Sequence, residues 1–272
     1  MDNLTSIILG VIQGLTEFLP VSSSGHLVIL QEFFHINEAE ILFDVTLHMG
    51  TLLAVFIFFR KDLKEMIFES RDYLTGVLQK KEPLSSIKDK PHAALTLWVI
   101  IGTLPTVFIG FVFKDQLENL FGDPKRAAWM LIVTGILLVI SRMLPAGYTR
   151  RNNVGLITAL AVGIAQGMAI TPGISRSGST IVCGMICGMD RELAGRFSFL
   201  LSIPAILGAM VLQLASNDLG SISIFPLVTG FLSAAVIGFF ALKILMKIVK
   251  KGNLLWFAPY CWALGLAIIF YL

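Results

Sequence analysis

Leu19-Pro20-Val21-Ser22-Ser23-Ser24-Gly25-His26 interrupts an apolar run that extends from about residue 4 to residue 30. A run of that length could cross a bilayer, whose hydrocarbon core takes about 20 apolar residues. Pro and Gly within it forbid an unbroken helix, and the backbone groups they free have no water to bond at membrane depth. Such a break is tolerated only where it is buried in protein or lines a water-filled cavity. The stretch therefore predicts a re-entrant helix pair that carries hydroxyls and an imidazole into the interior. Thr171-Pro172-Gly173-Ile174-Ser175-Arg176-Ser177-Gly178 breaks a second run, about 154–186, in the same way.

The surrounding sequence has membrane composition. Of 272 residues, 56% are hydrophobic and 14% charged, and the mean hydropathy is +0.81, where soluble domains carry about 25% charged residues. Six uninterrupted stretches of spanning length occupy about 43–59, 93–113, 127–144, 195–215, 225–249 and 254–272. The expected fold is an all-α polytopic membrane protein with six transmembrane helices plus two re-entrant helix pairs. Cys183, Cys187 and Cys261 are few, odd in number and set in apolar sequence, which argues against a disulfide framework. The formal charge of +3 follows from Lys and Arg in cytoplasmic loops and implies no nucleic acid. Met1-Asp2-Asn3 has no basic n-region, so the start reads as part of the fold.

Basic residues concentrate in 60–90, 142–151 and 243–251, which places these loops on the cytoplasmic side, whereas the loop from Ser216 to Ser223 has none and faces out. Both termini then lie outside, as does 114–126 despite Lys114, Lys125 and Arg126. A repeat underlies this order. Gly10-Val11-Ile12-Gln13-Gly14 corresponds to Gly163-Ile164-Ala165-Gln166-Gly167, and at the same offset of 153 Ser22-Ser23-Ser24-Gly25 lies over Ser175-Arg176-Ser177-Gly178. The two broken regions enter from opposite sides, each followed by three spans. The chain thus reads as one membrane-embedded domain made of two inverted repeats, about 1–150 and 151–272, with broken helices meeting near the midplane.

Glu17, His26 and Arg176 are the ionisable residues most out of place, because each costs about 2.5–3.5 kcal/mol at a helix centre on insertion scales and such residues mark functional sites. Interhelical polar bonding is the competing account. Gln13 and Glu17, four residues apart, share the helix face that points at the break. Glu17, with Gln13, could hold a divalent cation, Mg2+ or Ca2+, whose remaining oxygens a phosphate would supply. Ser22, Ser23 and Ser24 precede His26, and a hydroxyl beside an imidazole makes a nucleophile and base pair. In the second break, Ser175, Ser177 and Thr180 offer hydroxyls at a helix N-terminus suited to an anion, and Arg176 adds a fork matched to phosphate oxygens. His35 and His92 read as interfacial, His48 as a cavity-lining or helix-packing residue, and Asp190-Arg191-Glu192 as a solvated turn.

These residues resemble the undecaprenyl-diphosphatases, also called bacitracin-resistance proteins, over the whole chain. The signatures are Gln13-Gly14-Leu15-Thr16-Glu17-Phe18-Leu19-Pro20-Val21-Ser22-Ser23-Ser24-Gly25-His26 and Pro172-Gly173-Ile174-Ser175-Arg176-Ser177-Gly178-Ser179-Thr180. The resemblance implies hydrolysis of a polyprenyl diphosphate on the outer side of the bacterial cytoplasmic membrane, aided by a divalent cation, in support of peptidoglycan synthesis. It casts Gln13 and Glu17 as the acidic pair, Ser23 as nucleophile, His26 as its partner, and Ser175 and Arg176 as the phosphate clamp. Gln13 stands where a second carboxylate would serve a metal better, and Ser24 where many relatives carry Thr, a change that keeps the hydroxyl. The Ser-Arg-x5-His pattern of another lipid-phosphatase family is not met, since Val182 and Tyr148 occupy the His positions after Ser175-Arg176 and Ser141-Arg142. Expected partners are the lipid substrate and membrane lipids, with a homodimer left open. A secondary transporter or lipid flippase is the alternative, because inverted repeats with broken helices also build transporters.

Overall fold

The computed structural model describes residues 3–33, 41–121, 123–145, 147–148, 151–215 and 223–271. In chain order the helices are α1 (Asn3–Phe18), α2 (Ser23–Phe33), α3 (Ile41–Phe58), α4 (Arg60–Leu78), α5 (Pro91–Val112), α6 (Lys114–Phe121), α7 (Pro124–Met143), α8 (Leu156–Met168), α9 (Arg176–Ile186), α10 (Arg191–Ala215), α11 (Ile224–Lys251) and α12 (Ala258–Tyr271), with 3-10 turns at Leu84–Asp89 and Leu254–Phe257. Among the described residues the only β pairing is an isolated bridge between Arg151 and Met189. The chain is all-α.

Local chemistry sets several of these ends. Asp123 caps α7 by accepting from the Arg126 amide at 3.1 Å, with Pro124 at the first helical position. Asp190 accepts from the amide of Glu192 at 2.8 Å, so the segment expected as a solvated turn is the capped start of α10. α11 carries Lys250 and Lys251 in its last turn and closes on Gly252 at φ 74°, a cationic end and left-handed stop typical of helix C-termini.

Five helical segments, 91–112, 124–143, 191–212, 224–251 and 254–271, are long and apolar enough to cross a membrane. A sixth results if α3 is counted with α4, from which it is bent by 73°. Their bounds lie within a few residues of the stretches read from sequence. One difference is substantial: 60–78, expected as part of a basic loop, is a 19-residue helix. The outward loop assigned to 216–223 falls almost wholly outside the described residues, as does His35.

Large apolar side chains such as Leu104, Phe108, Phe111, Leu212 and Phe240 are exposed on the long helices. That surface is compatible with lipid rather than water. Inside, Phe18, Phe59, Leu138, Phe197, Phe199 and Leu242 form the larger core, and Leu9, Leu27, Phe43, Leu47 and Ala234 a smaller one. Helix contacts cross between the halves: α1 packs chiefly on α11, and α8 on α5. Glycines permit both crossings. A Cβ at Gly14 would lie 2.8 Å from the Gly238 amide nitrogen, and one at Gly163 would strike the Gly102 carbonyl. In a bilayer, where apolar burial gives no drive for association, such small-residue contacts let backbones pack closely.

Candidate active site

Both interrupted runs fold as a helix, a break and a second helix, and the two breaks touch. Each second helix is restarted by a serine. Ser22 Oγ accepts from the Gly25 amide at 3.3 Å, and Ser175 Oγ from the Gly178 amide at 3.1 Å. The breaks then abut through matching positions. A Cβ at Gly25 would lie 3.0 Å from Gly173 Cα, and one at Gly178 would lie 3.3 Å from Pro20 Cβ. Hydroxyls reach across in both directions, Ser22 Oγ towards the Ile174 carbonyl and Ser177 Oγ towards the Leu19 carbonyl, each at 3.4 Å. Ser22 sits at φ 66°, a left-handed conformation uncommon for a residue with a side chain and concentrated at functional sites. Two helix N-termini, with their free amides and positive dipole ends, therefore meet at one place.

Glu17 is the hub of that place. It is 6% exposed and its carboxylate bonds to the Arg176 guanidinium across the two breaks. It also accepts from Ser23 Oγ at 2.6 Å and Gln13 Nε2 at 3.0 Å. The His48 Nε2 lies 3.8 Å away. Arg176 spends one terminal nitrogen on Glu17, while its buried Nη1 has no partner. An unpartnered buried donor of this kind costs free energy unless a ligand or water satisfies it. Gln13 Oε1 and Ser179 Oγ are likewise buried without a partner. Arg176 thus keeps a free cationic donor and Gln13 a free acceptor, each on a residue bonded to Glu17.

His26 is held at both nitrogens. Nδ1 lies 2.7 Å from the Ser22 carbonyl and Nε2 2.7 Å from the Tyr260 hydroxyl, with the two rings parallel within 3°. A carbonyl only accepts, so Nδ1 carries the proton, and in the neutral ring Nε2 is left as an acceptor for Tyr260. The expected Ser23–His26 pair is therefore not made in this arrangement. Ser23 donates instead to Glu17, which lies in the last turn of α1.

The remaining expected residues divide by availability. Ser23 and Ser24 are half-buried at the tip. Ser175 is committed to capping α9 and Ser177 to bridging the breaks. Thr180, expected to bind the diphosphate, is turned away from the tip: it is fully buried, with its hydroxyl on the Arg176 carbonyl at 2.7 Å and 2.5 Å from Ser198 Oγ. Tyr260 enters the site from α12 although nothing in the sequence singled it out, and His48, expected either to line the cavity or to pack between helices, approaches Glu17. His48 was visible as a polar residue inside a span, but its approach to Glu17 depends on how α3 packs against α1.

For a metal, among the described residues no group of three or more His, Cys, Asp or Glu is gathered. The available oxygens are the Glu17 carboxylate and the orphaned Gln13 Oε1. That set fits a hard cation that takes one or two protein oxygens and completes its shell with water and phosphate.

Fold and site together define a class: a polytopic membrane protein with a buried Glu, Arg, Ser and His centre assembled where two broken helices meet. Residues 6–267 match the family described as Bacitracin resistance protein BacA. Curated relatives named undecaprenyl-diphosphatase include one from Carboxydothermus hydrogenoformans, 43% identical over 99% of this chain and 97% of the relative. Others are from Halothermothrix orenii, 44% identical over 99% and 98%, and Methanobrevibacter smithii, 42% over 98% and 97%. The chain belongs to the bacitracin-resistance protein family.

Proposed function

We propose that this protein is an integral membrane phosphatase that hydrolyses undecaprenyl diphosphate, or a closely related polyprenyl diphosphate, to the monophosphate and phosphate. This recycles the lipid carrier for peptidoglycan synthesis and accounts for the link with bacitracin resistance. The observation that carries the reading is the bridge from Glu17 to Arg176 between the two signature breaks, with a buried Arg176 nitrogen left free for a phosphate oxygen. Family membership over nearly the full chain supports the substrate class.

In phosphoryl transfer the protein contributes chiefly positioning and charge stabilisation. Arg176 and the free amides of α2 and α9 bind the diphosphate oxygens, and the prenyl tail stays among the apolar helices. Ser23 attacks the terminal phosphorus. Its Oγ–P bond forms as the bridging P–O bond to the lipid monophosphate breaks, and its proton passes to Glu17, 2.6 Å away. Water then attacks the serine phosphate: its O–P bond forms as the Oγ–P bond breaks, His26 Nε2 takes the water proton once Tyr260 yields that position, and Glu17 returns its proton to Ser23 Oγ. Glu17 and Gln13 would hold a Mg2+ or Ca2+ ion, which when bound would neutralise charge on the diphosphate. The covalent route fails if labelled substrate traps no phospho-enzyme and Ser23→Ala retains near-normal turnover.

The finer architecture is part of the same reading. Six spans and two re-entrant pairs form one domain of two inverted repeats, about 1–150 and 151–272. The crossed packing of α1 on α11 and α8 on α5, and the matched contacts of Gly25 with Gly173 and Gly178 with Pro20, support that duplication. The protein resides in the cytoplasmic membrane with termini and active site on the outer side, as monomer or homodimer. A transporter or flippase would use the same crossed packing. Phosphate release by purified protein in detergent separates the two, since transport alone releases none.

A further inference from the structure

Helix α4 follows α3 after the single residue Phe59, at 73° to it. A helix so sharply turned from a membrane span runs close to the membrane plane. Its two sides differ. Asp62, Met66, Glu69 and Tyr73 recur at helical spacing on the side that faces the protein, where Met66 and Tyr73 are buried. Asp62 pairs there with Arg196 at 2.5 Å. Glu69 accepts from the His92 and Ala93 amides at 2.5 and 2.7 Å, capping α5. Glu65 reaches His92 at 2.7 Å.

The other side carries Arg60, Lys64, Ile67, Arg71, Leu74 and Leu78, again at helical spacing and all exposed. Ile67, Leu74 and Leu78 are 67%, 57% and 81% exposed, so this face is as apolar as it is cationic. Among the described residues Arg60, Lys61 and Lys64 pair with no carboxylate, while Lys64 and Arg71 lie 5.8 and 5.2 Å from the centre of the Phe68 ring. Arg71 contacts Asp72 at 2.9 Å, but both side chains are more than 60% exposed, and such pairs hold their partners weakly. The helix turns two of its four carboxylates, Asp62 and Glu69, inward and leans Glu65 onto His92, while its cations and aliphatic side chains face outward. That is the pattern of a helix lying at headgroup level, with apolar residues in the acyl boundary and cations at the phosphates.

We propose that the outer face of α4 is a binding surface for anionic phospholipid headgroups of the leaflet on which it lies. The test uses the full-length protein in neutral detergent, titrated with short-chain phosphatidylglycerol or phosphatidylcholine while its melting temperature is followed. Phosphatidylglycerol is expected to raise the melting temperature at concentrations where phosphatidylcholine does not. Each cation near an anionic surface contributes roughly a 5-fold gain in affinity, so Lys64→Gln with Arg71→Gln weakens the phosphatidylglycerol response about 25-fold. Removing two charges elsewhere, with Lys247→Gln and Lys251→Gln on α11, leaves it intact. If the double α4 variant melts early in phosphatidylcholine, Lys64→Gln alone carries the test at about 5-fold. Equal responses to the two lipids, the same shift from inorganic phosphate alone, or unchanged phosphatidylglycerol binding in the α4 variants would each overturn the proposal.

Discussion

At the residue scale the site is a set of unequal commitments around Glu17. Its carboxylate accepts from Arg176, Ser23 and Gln13, while Arg176 Nη1 and Gln13 Oε1 have no partner. This imbalance is what a ligand would correct. Tyr260 has a narrower part: its hydroxyl bonds the Nε2 of His26. Since a hydrogen bond of this kind contributes about 0.5–1.5 kcal/mol and must be given up before Nε2 can take a proton, Tyr260→Phe is expected to raise kcat about 3- to 10-fold where attack by water limits turnover, with KM little changed. Steady-state kinetics on a prenyl diphosphate check this, and an unchanged kcat would remove Tyr260 from the mechanism. The ionisable residues Glu17, His26 and Arg176 were legible because charge in apolar sequence is expensive. The partner of Ser23 was not, since spacing on a helix cannot say whether a hydroxyl turns to His26 or back to the end of α1.

At the scale of elements the breaks are specified by backbone needs as much as by side-chain chemistry. Gly173 has φ +90°, and a Cβ there would run into the Ala127 carbonyl and lie 2.7 Å from Met130 Cβ on α7. The same loop is tied to α7 by Thr134, which donates to the Gly173 carbonyl at 2.8 Å and accepts from the Ser175 amide at 2.9 Å. Gly173→Ala is therefore expected to destabilise the fold by more than about 1 kcal/mol, seen as a lower melting temperature together with reduced turnover. A variant as stable as wild type would mean that α7 does not fix the second break. Sequence predicted both breaks, because Pro and Gly in apolar runs admit few alternatives at membrane depth. It did not predict α4, whose Lys, Arg, Asp and Glu content reads as loop until its two faces are separated by helical spacing.

At the scale of the molecule, one asymmetric site rests on symmetric supports, as the proposed duplication requires. The serine caps, the glycine contacts and the crossed packing are shared by both halves, whereas Glu17 and His26 come from one and Arg176 from the other. The repeat was readable as an offset of 153 residues; which helix of one half would pack on which of the other was not, because small-residue faces occur on several helices. The proposed inverted arrangement makes a directional prediction. In a variant lacking Cys183, Cys187 and Cys261, a cysteine replacing Leu4 is labelled by an impermeant thiol reagent from outside, and one replacing Lys80 only from the cytoplasm. Labelling of both from the same side would refute the topology.

The central claim is that the two breaks form one phosphate-cleaving centre. It is tested most directly by phosphate release from a short-chain prenyl diphosphate by purified wild type, His26→Ala and Arg176→Ala, with and without chelator. Wild type is expected to release phosphate in a chelator-sensitive manner and each variant to lose at least about 100-fold, as when a general base or a charge-stabilising donor is removed. No release from folded wild type, or full release from Arg176→Ala, would contradict it.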